Sequence, residues 1–126
     1  MYRFRIKDAA NDQYRVQFLY NSEIMVWSEN YVSKSSAQNC ISSLKAHAPS
    51  APIVDTTIGE SGSGYRWEIV KATNGEYFTR FKASNGETMV RSETYTAKHN
   101  AKNCAESVSR NAQSAPVEDE TAARVA

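Results

Sequence analysis

Ser28-Glu29-Asn30-Tyr31-Val32-Ser33-Lys34-Ser35-Ser36-Ala37-Gln38-Asn39-Cys40 returns 64 residues later as Ser92-Glu93-Thr94-Tyr95-Thr96-Ala97-Lys98-His99-Asn100-Ala101-Lys102-Asn103-Cys104. A motif that recurs at fixed spacing marks one supersecondary unit written twice. The correspondence continues outward. Upstream, Tyr2-Arg3-Phe4 answers Tyr65-Arg66-Trp67 and Tyr14 answers Tyr77; downstream, Ala51-Pro52-Ile53-Val54-Asp55 answers Ala115-Pro116-Val117-Glu118-Asp119. The upstream offset is 63, so the first copy lacks one residue between Phe18 and Asn21, where a hairpin tip tolerates a change of length. The copies are residues 1–55 and 65–119, joined by a flexible linker over 56–64 and followed by a flexible tail over 120–126. A unit of about 55 residues is marginal as a core of its own. The expectation is one pseudo-symmetric domain over 1–119 with a shared interior.

Within each copy the periodicity changes once. Tyr2, Phe4 and Ile6 alternate with Arg3, Arg5 and Lys7, and Tyr65, Trp67 and Ile69 repeat the pattern, which is the period of a strand with one buried face. Turn signals follow at Ala10-Asn11-Asp12 and Thr73-Asn74-Gly75. Second strands follow, with Tyr14, Val16, Phe18 and Tyr20, or Tyr77, Thr79 and Phe81, inward. Third strands are expected over 23–28 and 87–92, with Ile24 and Val26 on one face and Met25 and Trp27 on the other. Helical spacing then takes over. Ala37, Cys40, Ile41, Leu44 and Ala48 make one apolar stripe, and Ala101, Cys104, Ala105, Val108 and Ala112 copy it. Ser33 and Thr96 are placed to cap the helix starts, prolines end the helices, and Ile53-Val54 and Val117 add a short last strand.

This order of β-β-β-α-β, twice over, with the repeated Ser-Glu-x-Tyr-x-x-Lys-x-x-Ala-x-Asn motif, resembles the YegP-like family of small bacterial and archaeal proteins. The resemblance implies an α+β fold of tandem duplicated units. These would form one pseudo-twofold antiparallel sheet, with terminal strands exchanged between units and two helices packed on one face. It implies no activity and supplies no catalytic or binding positions.

Composition narrows the function classes. A net charge of +1 gives no general attraction to nucleic acid or anionic lipid. The longest apolar run, Ile24 to Trp27, is far short of the roughly 20 residues of a membrane span. The charged, alternating amino terminus lacks a secretory core, so a cytoplasmic location is expected. Two cysteines without CxxC spacing argue against a disulfide scaffold or zinc site, and no glycine-rich phosphate loop occurs. No cofactor, metal or catalytic residue is therefore assigned. Cys40 and Cys104 read as buried hydrophobes, and a cysteine nucleophile lacks a repeated base because His47 and His99 are not equivalent.

Two constellations remain as binding candidates. One is the repeated corner set of Glu29, Tyr31, Lys34 and Asn39, echoed by Glu93, Tyr95, Lys98 and Asn103 next to Ser28 and Ser92. Its structural reading is preferred: Glu pairs with Lys across the corner, Tyr plugs it and Asn holds backbone. The other is the outward strand face, where Arg3, Arg5, Lys7, Arg15, Arg66, Arg80, Lys82 and Arg91 accompany Trp27 and Phe78, interrupted by Gln17 and Glu68. Cations beside flat aromatics suit a single-stranded polyanion. The preferred function is a non-catalytic binding or interaction module for a protein partner or polyanion, as a monomer or weak dimer and without a membrane partner. The alternatives are a small enzyme at the Glu/Tyr/Lys corners and a single-stranded nucleic-acid binder on the sheet face.

Overall fold

The computed structural model describes residues 1–121. Strands β1 (Tyr2–Ala9), β2 (Gln13–Tyr20) and β3 (Glu23–Tyr31) lead into helix α1 (Lys34–His47) and the short strand β4 (Ile53–Asp55). Strands β5 (Arg66–Lys71), β6 (Tyr77–Lys82) and β7 (Thr88–Arg91), helix α2 (Lys98–Asn111) and strand β8 (Val117–Asp119) follow in the same order. One sheet takes all the strands in the order β4-β5-β6-β7-β3-β2-β1-β8. The last strand of each half thus lies beside the first strand of the other half.

The sheet is mixed, which corrects the expectation of an antiparallel one. Hairpins make β1, β2 and β3 antiparallel, and likewise β5, β6 and β7, with β3 and β7 antiparallel at Trp27 and Arg91. At both edges the pairing is parallel, Ile53 opposite Trp67 and Phe4 opposite Val117. A tight hairpin forces antiparallel neighbours, whereas a helix between β3 and β4, or β7 and β8, frees the returning strand to run either way.

Alternation decides the buried face. Phe4, Ile6, Val16, Phe18, Val26, Trp67, Phe81 and Val90 join the helix residues Cys40, Ile41, Leu44, Cys104, Ala105 and Val108 in one continuous core. Both helices cover the same sheet face. Met25, expected outward with Trp27, packs against this core instead. The β2–β3 register slips by one residue between Phe18 and Leu19, so strict period-2 counting fails there.

Helix α1 begins at Ser33, whose Oγ accepts from Ser36 N at 3.1 Å. Helix α2 begins at Ala97 with no side-chain cap, so Thr96 lies one residue too early for the role expected of it. The connection over 56–64, flexible by composition, is tied at its start. Thr56–Ile58 forms a 3-10 turn, Thr56 Oγ1 donates to Ile69 O at 2.6 Å, and Asp55 N donates to Glu60 Oε1 at 2.8 Å. Of the tail expected over 120–126, Glu120 N donates to Ile6 O at 2.9 Å, and residues 122–126 lie outside the described residues.

Candidate functional site

The repeated motif is occupied first with holding the fold. Between Arg15 and Gln17 the β2–β3 register shifts, leaving Val16 opposite two residues of β3. Ser28 Oγ accepts from Val16 N at 2.9 Å and donates to Glu29 O at 2.7 Å. In the second half Ser92 Oγ accepts from Thr79 N at 3.0 Å and donates to Glu93 O at 2.8 Å. Each serine satisfies an amide that a bulge would otherwise leave buried and unpaired.

The motif lysines do not pair with their own glutamates, contrary to the sequence reading. Lys34 Nζ meets Asp119 Oδ2 at 2.9 Å, and Lys98 Nζ meets Asp55 Oδ2 at 3.0 Å and Thr57 Oγ1 at 2.9 Å. Each lysine therefore latches the terminal strand of the other half. The aspartates are prepared for this by a following threonine: Thr57 and Thr121 each donate both N and Oγ1 to the Oδ1 of Asp55 and Asp119. The hydroxyl of Thr121, followed by Lys34, draws the Asp119 carboxyl down to about 2, and Thr57 and Lys98 lower Asp55 against some desolvation. Sequence reading missed these aspartates, although Asp-x-Thr at 55–57 and 119–121 was the available signal.

Tyr31 and Tyr95 each lie close enough to the motif cysteine of their own half for the two groups to bear on each other's titration. Burial pushes the Cys40 and Cys104 thiols up to about 11, and raises both tyrosines too. Both thiols are buried, free and protonated at neutral pH, which is the state of an inert side chain. Their Sγ atoms face the other half, Cys40 toward Met89 O at 4.0 Å and Cys104 toward Met25 O at 3.7 Å. Glu29 with Glu87 bears on Tyr31, and Glu93 with Glu23 bears on Tyr95. Asn39 and Asn103 are exposed and hold no backbone group among the described residues, which corrects the role expected of them.

The uncovered sheet face carries the second constellation. At its centre the Arg91 guanidinium lies 4.1 Å from the Phe78 ring centroid and 5.9 Å from that of Trp27. Several neighbouring cations are tied down. Arg66 Nε and Arg80 Nη2 reach the two oxygens of Glu68 at 2.9 and 2.8 Å, Arg5 donates twice to Gln17 Oε1, and Arg3 Nε meets Glu118 Oε2 at 2.7 Å. Burial works to raise Glu68, but hydrogen bonds from Arg80 and Arg66 outweigh it and hold the carboxyl below its ordinary value. Lys7 is exposed and Lys82 half-buried on the same face.

Cavities open on the helical side among the described residues. One of about 440 Å³ lies by the Lys98–Asp55 latch, floored by Ile53 and Ile69 with His99 and Lys102 at its rim. Another of about 270 Å³ lies between α2 and the ends of β1 to β3, lined by Tyr2, Tyr20, Glu23 and Met25, and by Tyr95, Asn103 and Cys104 of the motif. Tyr20 and Glu23 lie 72 or more residues before Tyr95 and meet it only across the seam. Among the described residues no three His, Cys, Asp or Glu side chains converge as metal ligands, and no helix is long and apolar enough to cross a membrane.

A family model described as "Domain of unknown function (DUF1508)" matches residues 1–55 and 72–119. A UPF0339 protein of Mesorhizobium japonicum is 43% identical over 56 residues, covering 44% of this chain and 97% of that protein. The UPF0339 protein YegP of Yersinia pestis is 34% identical over 119 residues, 94% of this chain and 95% of that one. The solution NMR structure of yegP from E. coli, titled a protein of unknown function, superposes with a TM-score of 0.78 at 26% identity and covers 98% of this chain and 96% of that one.

Proposed function

The chain belongs to the YegP-like family described as Domain of unknown function (DUF1508), and from that premise we propose that it is a non-catalytic binding module whose uncovered sheet face receives a polyanion. The scaffold is read as a tandem duplication forming one pseudo-twofold domain over 1–119. Support comes from the two matched regions, from a relative of about one copy's length, and from a strand order that reads the same from either edge when the halves are exchanged.

The observation that carries the function is the Arg91 guanidinium held between Phe78 and Trp27 in the middle of a face where cations outnumber acids. Phosphates or sulfates take the cations and flat groups take the rings. The protonated thiols and the structural duties of Ser28, Ser92, Lys34 and Lys98 speak against chemistry at the corners.

The test is retention on heparin and binding of oligothymidylate at two salt concentrations. Phosphate-driven affinity falls steeply with salt. Arg3 and Arg80 are unsuitable probes because each is ion-paired, and Arg80→Glu sets a second acid against Glu68. Lys7→Glu with Lys82→Glu is the suitable pair, expected to lower the eluting salt and weaken oligothymidylate about tenfold or more at low salt with the melting temperature nearly unchanged. Absence of retention at low salt, or indifference to this pair, overturns the reading.

A further inference from the structure

We propose that the cavity between α2 and the ends of β1 to β3 is a binding site for the ammonium group of a small aliphatic amine. This goes beyond the sheet-face reading and does not depend on it, since the cavity opens on the helical side.

The cavity's volume of about 270 Å³ is just below that of drug-sized ligand pockets, which run from about 300 Å³ upward. A small ligand fits. Tyr2, Tyr20 and Tyr95 line it; Tyr2 packs on Tyr20 at 4.7 Å between ring centroids, tilted by 44°, and stacks on Phe18 at 5.8 Å, which leaves Tyr95 and the exposed Tyr20 to meet a ligand. Ring faces attract a cation, most strongly where water is partly excluded. Glu23 supplies a carboxylate from the start of β3, without an ion-pair partner among the described residues, and Glu93 adds its field at Tyr95. Asn103 offers an amide oxygen for a further N–H, and Met25 offers apolar surface to a hydrocarbon chain.

The same lining rejects the other ligand classes. No lysine or arginine lines the cavity, so an anion meets Glu23 without compensation. A bare metal ion finds no set of three suitable donors there. A neutral chain gains nothing from the carboxylates. This lining is also peculiar to the seam. In the second half Ala83 follows Lys82 where Tyr20 follows Leu19, and His47 lies flat on Tyr65 at 3.8 Å with an interplanar angle of 5°.

The experiment is an amide-resolved NMR titration of the full chain with 1,5-diaminopentane, run beside 1-pentanol and pentanoate at equal ionic strength. Saturable shifts at Glu23, Tyr95 and Asn103 are expected with the diamine, but not with the alcohol or the carboxylate. Glu23→Gln is expected to weaken the diamine about tenfold or more, as loss of a charge-assisted hydrogen bond does. Glu87→Gln, its counterpart in the other half, is expected to leave binding unchanged. Glu23 is exposed at a strand end, so its variant folds. No saturation by the diamine in the millimolar range, an equal response to pentanol or pentanoate, or equal loss in both glutamine variants overturns the proposal.

Discussion

Ser28 and Ser92 show how a polar residue repeated in two copies can be wholly explained by backbone. Each hydroxyl is buried and takes one amide that the bulge strands. Ser28→Ala leaves Val16 N without a partner in the interior, at a cost of about 1–3 kcal/mol, and urea denaturation measures the loss. An unchanged midpoint shows that the amide finds water. Asp119 makes a second prediction at this scale. Its folded value of about 2 lies below the usual unfolded one of about 3.9, so the native state binds fewer protons than the unfolded chain between them. The stabilisation is complete above the unfolded value and is lost as pH falls through about 2. Asp55 and Glu68 are shifted the same way and add to the slope. Thermal melts from pH 6 to pH 2 are expected to drop less for Asp119→Asn with Asp55→Asn than for the parent. Added salt is expected to shrink the difference, because Asp119 is 44% exposed.

At the scale of elements, the two helices differ in how they start. Helix α1 has Ser33 at its N-cap, whereas α2 has Ala97 in the same extended conformation, φ −112° and ψ 134°. Ala97→Ser therefore restores a missing cap without straining the backbone and is expected to stabilise the protein by about 1 kcal/mol, read as a rise in melting temperature. No rise means the first-turn amides of α2 are already satisfied. The cap shows where sequence reading reaches its limit. Helix stripes and strand alternation were legible because each is a property of its own segment, as Leu44 and Val108, both fully buried, demonstrate. Thr96 falls one residue short of the cap, and Met25 lies on the face opposite to the one alternation gives it, because caps and bulges depend on where a boundary or a partner strand falls. Local spacing matches Lys34 with Glu29 for the same reason: its actual partner, Asp119, lies 85 residues away, and spacing within the motif carries no information about it. The parallel edges were hidden likewise, since a short strand after a helix can return in either sense.

At the scale of the whole molecule, almost every device that closes the fold passes from one half to the other. Phe4 N donates to Pro116 O at 2.8 Å and Trp67 N to Pro52 O at 2.9 Å, so each first strand is covered by the other half's last. The lysine latches cross in both directions, and each motif thiol lies against a methionine carbonyl of the opposite third strand. Residues 1–64 alone would expose the free edges of β1 and β3 and leave β4 and Lys34 without partners. Unpaired strand edges are templates for another chain, and a unit of about 55 residues has little core with which to resist. The half-chain is therefore expected to associate with a second copy of itself, exchanging β4 and forming the Lys34 latch to Asp55 of that copy. Analytical ultracentrifugation of residues 1–64 is expected to give a dimer whose melting temperature rises with concentration. Lys34→Met in that half-chain is expected to weaken the dimer, whereas in the full chain the covalent connection through 56–64 keeps the partner at high effective concentration and the same substitution costs less. A half-chain that stays monomeric and melts cooperatively would mean that each half closes its own core, and the crossing contacts would then be docking surfaces between finished domains.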